Sequence, residues 1–119
     1  MDLVKDKLVL ITGGGGGLGS AMARGFAREG ARVIVVDVAL DKARAVADDI
    51  GRSGGAGWAH SVDVTDRGAV AALATALAER FGPIDVLINN AGISGRARID
   101  DPEAMQVWDR IIDVNLQWL

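Results

Sequence analysis

The sequence has no cysteine, no tyrosine, two prolines and an aromatic content of only 4%. The missing cysteine excludes disulfides, zinc–thiolate centres and thiol nucleophiles, and it fits a reducing compartment. The single histidine, His60, cannot build a metal cluster by itself. No apolar run approaches the roughly 18 residues of a membrane span. The N-terminus, Met1-Asp2-Leu3-Val4-Lys5-Asp6-Lys7, is too charged for a signal peptide. A cytoplasmic protein with no membrane partner is therefore expected. Basic charge is also scarce: the net charge is -3, with both signs interspersed, which leaves no footprint for nucleic acid or anionic lipid.

What the chain does have is glycine, 16 residues of it, in a composition that is half hydrophobic. That mixture points to packed α/β layers and away from disorder. At 119 residues it can hold one domain around one core, so residues 1–119 are expected to form a single unit.

Leu8-Val9-Leu10-Ile11-Thr12 is a short apolar run ending in five consecutive glycines, the length of a fully buried parallel strand. From Leu18 apolar residues recur at helical spacing through Met22, Phe26 and Ala27, and Gly30 marks the stop. Arg32–Val36 reads as a second strand closing at Asp37, and Asp41–Ile50 as a second helix. Gly51–Gly57 reads as a turn, Trp58–Val62 as a third strand, and Asp66 as the N-cap of an Ala-rich helix ending near Phe81-Gly82-Pro83. Ile84–Ile88 is the fourth strand. It stops at Asn89-Asn90-Ala91-Gly92, after which a loop leads to Asp101-Pro102 and a last helix. Strands alternating with helices imply a Rossmann-type, doubly wound parallel sheet of about four strands in the order 3-2-1-4, with helices on both faces. Ligands of such sheets bind at the carboxyl ends of the strands.

The turn Thr12-Gly13-Gly14-Gly15-Gly16-Gly17-Leu18-Gly19 lies there, where free backbone N–H groups and the positive end of a helix dipole suit a diphosphate. Being nearly all glycine, it satisfies two patterns at once. One is Gly-x-Gly-x-x-Gly at Gly14, Gly16 and Gly19; the other is Thr-Gly-x-x-x-Gly-x-Gly at Thr12, Gly13, Gly17 and Gly19. A flexible linker would not sit between a buried strand and an amphipathic helix. Asp37, followed by Val38, closes the second strand 18 residues beyond Gly19, near the spacing at which an acid reaches the adenosine ribose hydroxyls of a dinucleotide. A carboxylate there would repel a 2′-phosphate, and no Arg or Lys stands in the glycine turn or immediately after Asp37. NAD is thus expected over NADP. An ordinary solvated acid at a strand end is the plain alternative.

Thr12–Gly19, Asp37, Asp63-Val64, Asn89-Asn90-Ala91-Gly92 and Asn115 together resemble the short-chain dehydrogenase/reductase family, and the resemblance covers essentially the whole chain. It implies cofactor contacts from Gly13, Gly16, Gly17, Leu18 and Gly19 in the turn and from Asp37 and Val38 at the end of the second strand. It also implies that Asp63 and Val64 meet the adenine, and that Asn90, Ala91 and Gly92 pass beneath the ribose while Asn89 braces the turn. Helix capping is the alternative for Asp63, although Asp66 is better placed for it. For Asn89-Asn90, hydrogen bonds within the turn itself are the alternative. Asn115 falls at the position of the family's catalytic asparagine. Its partners in that family are a Ser, a Tyr and a Lys four positions after the Tyr. This chain has no tyrosine and its only lysines are Lys5, Lys7 and Lys42, so binding without proton relay is expected of the chain alone. Ser94 has no base nearby to replace the missing hydroxyl.

Three readings stay open: an NAD(H)-binding module, the N-terminal part of an NAD-dependent oxidoreductase of alcohols or ketones, and a structural remnant that kept the fold without the ligand. Because the family's sheet continues past strand four, an apolar edge at Val86-Leu87-Ile88 and an apolar last helix are expected to recruit a second copy, giving a homo-oligomer.

Overall fold

The computed structural model describes residues 3–90. In chain order the elements are β1 (Leu8–Thr12), α1 (Gly17–Arg28), β2 (Arg32–Asp37), α2 (Leu40–Arg52), β3 (Ala56–Ser61), α3 (Arg67–Phe81) and β4 (Val86–Asn89). The four strands form one parallel sheet in the order β3-β2-β1-β4. That is the Rossmann-type arrangement expected, with β1 as a central strand.

Parallel strands buried on both sides need apolar residues at every position, not at alternate ones. β1 meets that condition from Leu8 to Ile11, with Leu8, Val9, Leu10 and Ile11 all fully buried. Its side chains divide by parity. Val9 and Ile11 join Val33 and Val35 of β2 in a core with Ala23 of α1 and Ala43, Val46 and Ile50 of α2. Leu8 and Leu10 join Ile34 and Val36 in a second core with Val70, Ala74 and Leu77 of α3 and Leu87 of β4. Helices therefore cover both faces. Each buried Leu or Ile contributes about 1.5–3 kcal/mol over leaving it in water, so the sheet is the most strongly held part of the fold.

Helix boundaries follow local chemistry. α3 starts at Asp66, whose side chain accepts from the Ala69 N–H at 3.1 Å, as its capping role predicts. α1 is followed by Gly30 at φ 91°, the left-handed C-terminal stop expected. Several boundaries differ from the sequence expectation. α2 runs on through Gly51 to Arg52, and β3 begins at Ala56, two residues before Trp58, and ends at Ser61. Gly51 and Gly57 thus belong to regular elements. β4 spans Val86–Asn89, one residue further at its carboxyl end than expected, while Ile84 stays buried ahead of it. The Asp85 carboxylate accepts from the Leu8 N–H at 2.8 Å and Asp85 N–H donates to Leu8 O at 2.9 Å, so the two strands are tied at their starts as well. The expected loop and last helix beyond Asn90 lie outside the described residues.

Candidate functional site

The order β3-β2-β1-β4 reverses direction between β1 and β4, and ligand crevices of open parallel sheets form at that switch point. The register brings the relevant strand ends level: Thr12 pairs with Val36 and with Asn89, and Asp37 pairs with Ser61. The glycine turn after β1, the acid ending β2 and the Asn pair ending β4 therefore share one edge of the sheet.

The turn's geometry places demands on glycines of both patterns: a Cβ on Gly14 would lie 2.8 Å from Val35 Cγ1 and 3.2 Å from Ile11 O. Gly13 and Gly17 take φ of 64° and 52°, where side chains are rarely tolerated. A Cβ on Gly19 would run into the Gly13 carbonyl oxygen and lie 2.6 Å from Asn90 Nδ2. All three glycines of Thr-Gly-x-x-x-Gly-x-Gly are thus required by conformation or by close approach. Gly16, which belongs only to the other pattern, is extended at φ -156° and a Cβ there would meet nothing within 4 Å. The same open space lies in front of Gly17.

α1 begins at this opening with Gly16 as N-cap, no side-chain cap and no acid in its first turn. The first N–H groups of a helix have no intrahelical acceptor, and the helix dipole adds about half a positive charge there. An uncapped terminus with a Cβ-free cradle in front of it fits a diphosphate. Leu18 is 58% exposed beside it.

Behind the turn, β1 and β4 are locked together by polar side chains. Thr12, only 1% exposed, donates from Oγ1 to Asn89 Oδ1 at 2.9 Å and accepts from the Asn90 N–H at 3.0 Å. Asn90 Nδ2 donates to Gly13 O at 3.1 Å. Asn90 therefore braces the glycine turn directly, whereas the sequence reading gave Asn89 the bracing of the turn after the fourth strand and Asn90 a place beneath the ribose. Thr12 entered that reading only as a motif letter; its contacts join positions 77 and 78 residues apart and carry no local signal.

Asp37 sits half-buried at the end of β2. Its Oδ2 accepts from Gly15 N–H and its Oδ1 from Ala39 N–H, both at 3.0 Å. A carboxylate has about four lone-pair sites, so this leaves capacity for two hydroxyl donors. Val38, next along, is 71% exposed. A Cβ on Gly15 would lie 2.7 Å from Lys42 Cβ, so the fold brings a lysine stem beside the turn although the sequence places it five residues beyond Asp37.

Asp63 and Val64 follow β3 toward the same edge. Asp63 Oδ1 accepts from Thr65 N–H at 2.9 Å and from Thr65 Oγ1 at 2.7 Å, closing a small turn. The Thr65 hydroxyl and then its amide hold the Asp63 carboxyl below its ordinary value, against a small opposing effect of burial. Asp66 takes the capping role. Val64 packs against the α3-side core. Ala91, Gly92 and Asn115 lie outside the described residues. No group of three or more potential metal ligands occurs among the described residues, and none of the described helices is long and apolar enough to cross a membrane.

Residues 7–118 match the model of the short chain dehydrogenase family. The chain is 38% identical over 110 residues to D-threitol dehydrogenase of Mycolicibacterium smegmatis, covering 92% of this chain and 42% of that protein. It thus spans less than half the length of the curated relatives it matches, down to 19%. Among solved structures, a metagenomic short-chain oxidoreductase in complex with NADP superposes with a TM-score of 0.78 at 28% identity, over 92% of this chain and 56% of the other. A putative D-mannonate oxidoreductase from Haemophilus influenza with bound NAD gives a TM-score of 0.67 at 31% identity, over 71% and 30% respectively. Strand order, glycine turn and the paired asparagines agree with these likenesses: the chain belongs to the short-chain dehydrogenase family.

Proposed function

We propose that residues 1–119 form the NAD(H)-binding part of a short-chain oxidoreductase acting on alcohols or ketones. The observation that carries this reading is the juxtaposition of an uncapped, Cβ-free helix terminus with an acid on the neighbouring strand end. When bound, a nicotinamide dinucleotide supplies the hydride acceptor or donor. The chain's own residues hold it. The amides at the start of α1 take the diphosphate, Gly16 and Gly17 leave room for it, and Asp37 takes the adenosine ribose hydroxyls. Leu18 and Val38 offer apolar surface beside them, and Asp63 and Val64 border the adenine. Asn90, with Ala91 and Gly92 following it, runs beneath the ribose, and Asn115 belongs to the proton-relay machinery. With no tyrosine in it, the chain alone binds without transferring a proton.

Asp37 favours NAD by charge. Two like unit charges 4 Å apart repel by about 1 kcal/mol in bulk water and about 4 kcal/mol at an effective dielectric of 20, and a phosphate monoester carries more than one charge. A preference for NADH of at least about tenfold follows, since that ratio corresponds to about 1.4 kcal/mol. Lys42 supports the competing reading, in which its ammonium offsets Asp37 and NADP is accepted. Calorimetric titration with NADH and NADPH separates the two. Saturable NADH binding with NADPH at least about tenfold weaker is expected; NADPH binding as tightly or more tightly transfers the assignment to NADP, and no saturation by either removes it. A cytoplasmic location and a homo-oligomer joined through the β4 edge or the last helix complete the proposal. Sedimentation of the protein at a monomer's mass would reject the oligomer.

A further inference from the structure

We infer that Asp37 is also a positioning residue for the phosphate-binding turn, latching the glycine run in its ligand-ready shape before any ligand arrives. This rests on the dinucleotide reading and adds a task to a residue so far given only the ribose. The carboxylate is shared between two backbone segments: Oδ2 holds the Gly15 amide and Oδ1 the Ala39 amide that leads into α2. Five successive glycines have the largest conformational entropy a chain can offer, so an unrestrained turn would have to be ordered by the ligand at the expense of affinity. Two restraints oppose this in the middle of the run. Gly14 N–H donates to Val36 O at 3.0 Å, and the charge-assisted bond from Gly15 to Asp37 is the stronger kind. Gly15 is fitted to the latch. A Cβ there would lie 2.9 Å from Asp37 Oδ2 and 3.0 Å from the Ala43 nitrogen, so any side chain would push the acid away. The ribose-reading acid and the diphosphate-binding turn are consequently one mechanical unit, and replacing the acid to change cofactor preference also loosens the turn.

The test separates the latch from the ribose contact by removing the ribose hydroxyls. NADH and its analogue built on 2′,3′-dideoxyadenosine are titrated calorimetrically into the wild-type protein and Asp37→Ala, and solvent exchange of the Gly15 amide is followed by NMR without ligand. If Asp37 acts only on the ribose, Asp37→Ala leaves the analogue's affinity and the Gly15 exchange rate unchanged, and the latch is overturned. The latch requires both to respond: analogue affinity falls and Gly15 exchange rises by roughly tenfold each, the low end of what a hydrogen bond to a charged group is worth. Asp37→Asn, isosteric and uncharged, serves where Asp37→Ala does not fold and should change both readouts in the same direction by less. Failure of the dinucleotide reading looks different, since wild-type protein then binds neither compound, while the exchange measurement still decides the latch.

Discussion

Gly16 and Gly19 sit three residues apart in one turn, yet their alanine variants should fail in opposite ways. At Gly19 a Cβ would collide with the Gly13 carbonyl and approach Asn90 Nδ2 to 2.6 Å. Gly13 O is the acceptor of the Asn90 side chain, so relief of the clash also breaks that bond. Overpacking costs about 1–3 kcal/mol and a lost hydrogen bond about 0.5–1.5 kcal/mol. Gly19→Ala is therefore expected to lose roughly 2–4 kcal/mol, a large share of a typical 5–15 kcal/mol total. At Gly16 the backbone is already extended and the Cβ meets nothing. The weaker capping of alanine and its lower unfolded-state entropy nearly offset each other, leaving stability within about 0.5 kcal/mol of wild type. That Cβ instead fills the diphosphate cradle. Displacing one charge-assisted contact, worth about 1.5–3 kcal/mol, weakens NADH by roughly tenfold or more. Urea unfolding and calorimetric NADH titration on both variants read the two effects separately. A Gly19→Ala protein as stable as wild type, or a Gly16→Ala protein that binds NADH normally, would refute the assignment of packing to one glycine and ligand space to the other.

Further expectations follow from individual contacts. Thr12→Val keeps the shape but removes the hydroxyl between Asn89 and Asn90; leaving buried polar groups unpaired should cost about 1–3 kcal/mol in urea unfolding, and an unchanged midpoint would contradict the lock. Asp66→Ala removes the α3 cap and should cost about 1 kcal/mol, read as a Tm lower by about 4 °C. His60 has a buried Nε2 with no hydrogen-bond partner, and burial, followed by the nearby Arg80 charge, lowers its pKa from 6.5. The unfolded chain then binds the proton first, so stability is fully present above pH 6.5 and declines as pH falls below it. His60→Val should flatten the decline in stability as pH falls below 6.5; a profile as steep as wild type would assign the loss to another group.

The sheet was legible because β1 is apolar from Leu8 to Ile11 and β2 from Val33 to Val36, the pattern that a strand covered on both faces requires. β3 was read short for a tertiary reason. Gly57 looks like part of a turn, but a Cβ there would lie 3.2 Å from Ile50 Cγ2 and 3.3 Å from Ala47 O. It is glycine because α2 packs directly on the strand, and sequence alone does not distinguish that close approach from a bend. For the candidate site, the glycine turn and Asp37 were visible from spacing. The bond from Gly15 to Asp37, the Thr12–Asn89–Asn90 lock and the Lys42 stem at the turn were not, because each depends on strand register and on helix placement across the sheet.

The most direct test of a dinucleotide held between α1 and β2 is a crystal structure of the protein grown with NADH. The account predicts the diphosphate against the amides of Gly17 and Leu18 and the adenosine ribose hydroxyls within hydrogen-bond reach of Asp37. A diphosphate bound elsewhere, or a ribose turned away from Asp37, would contradict it.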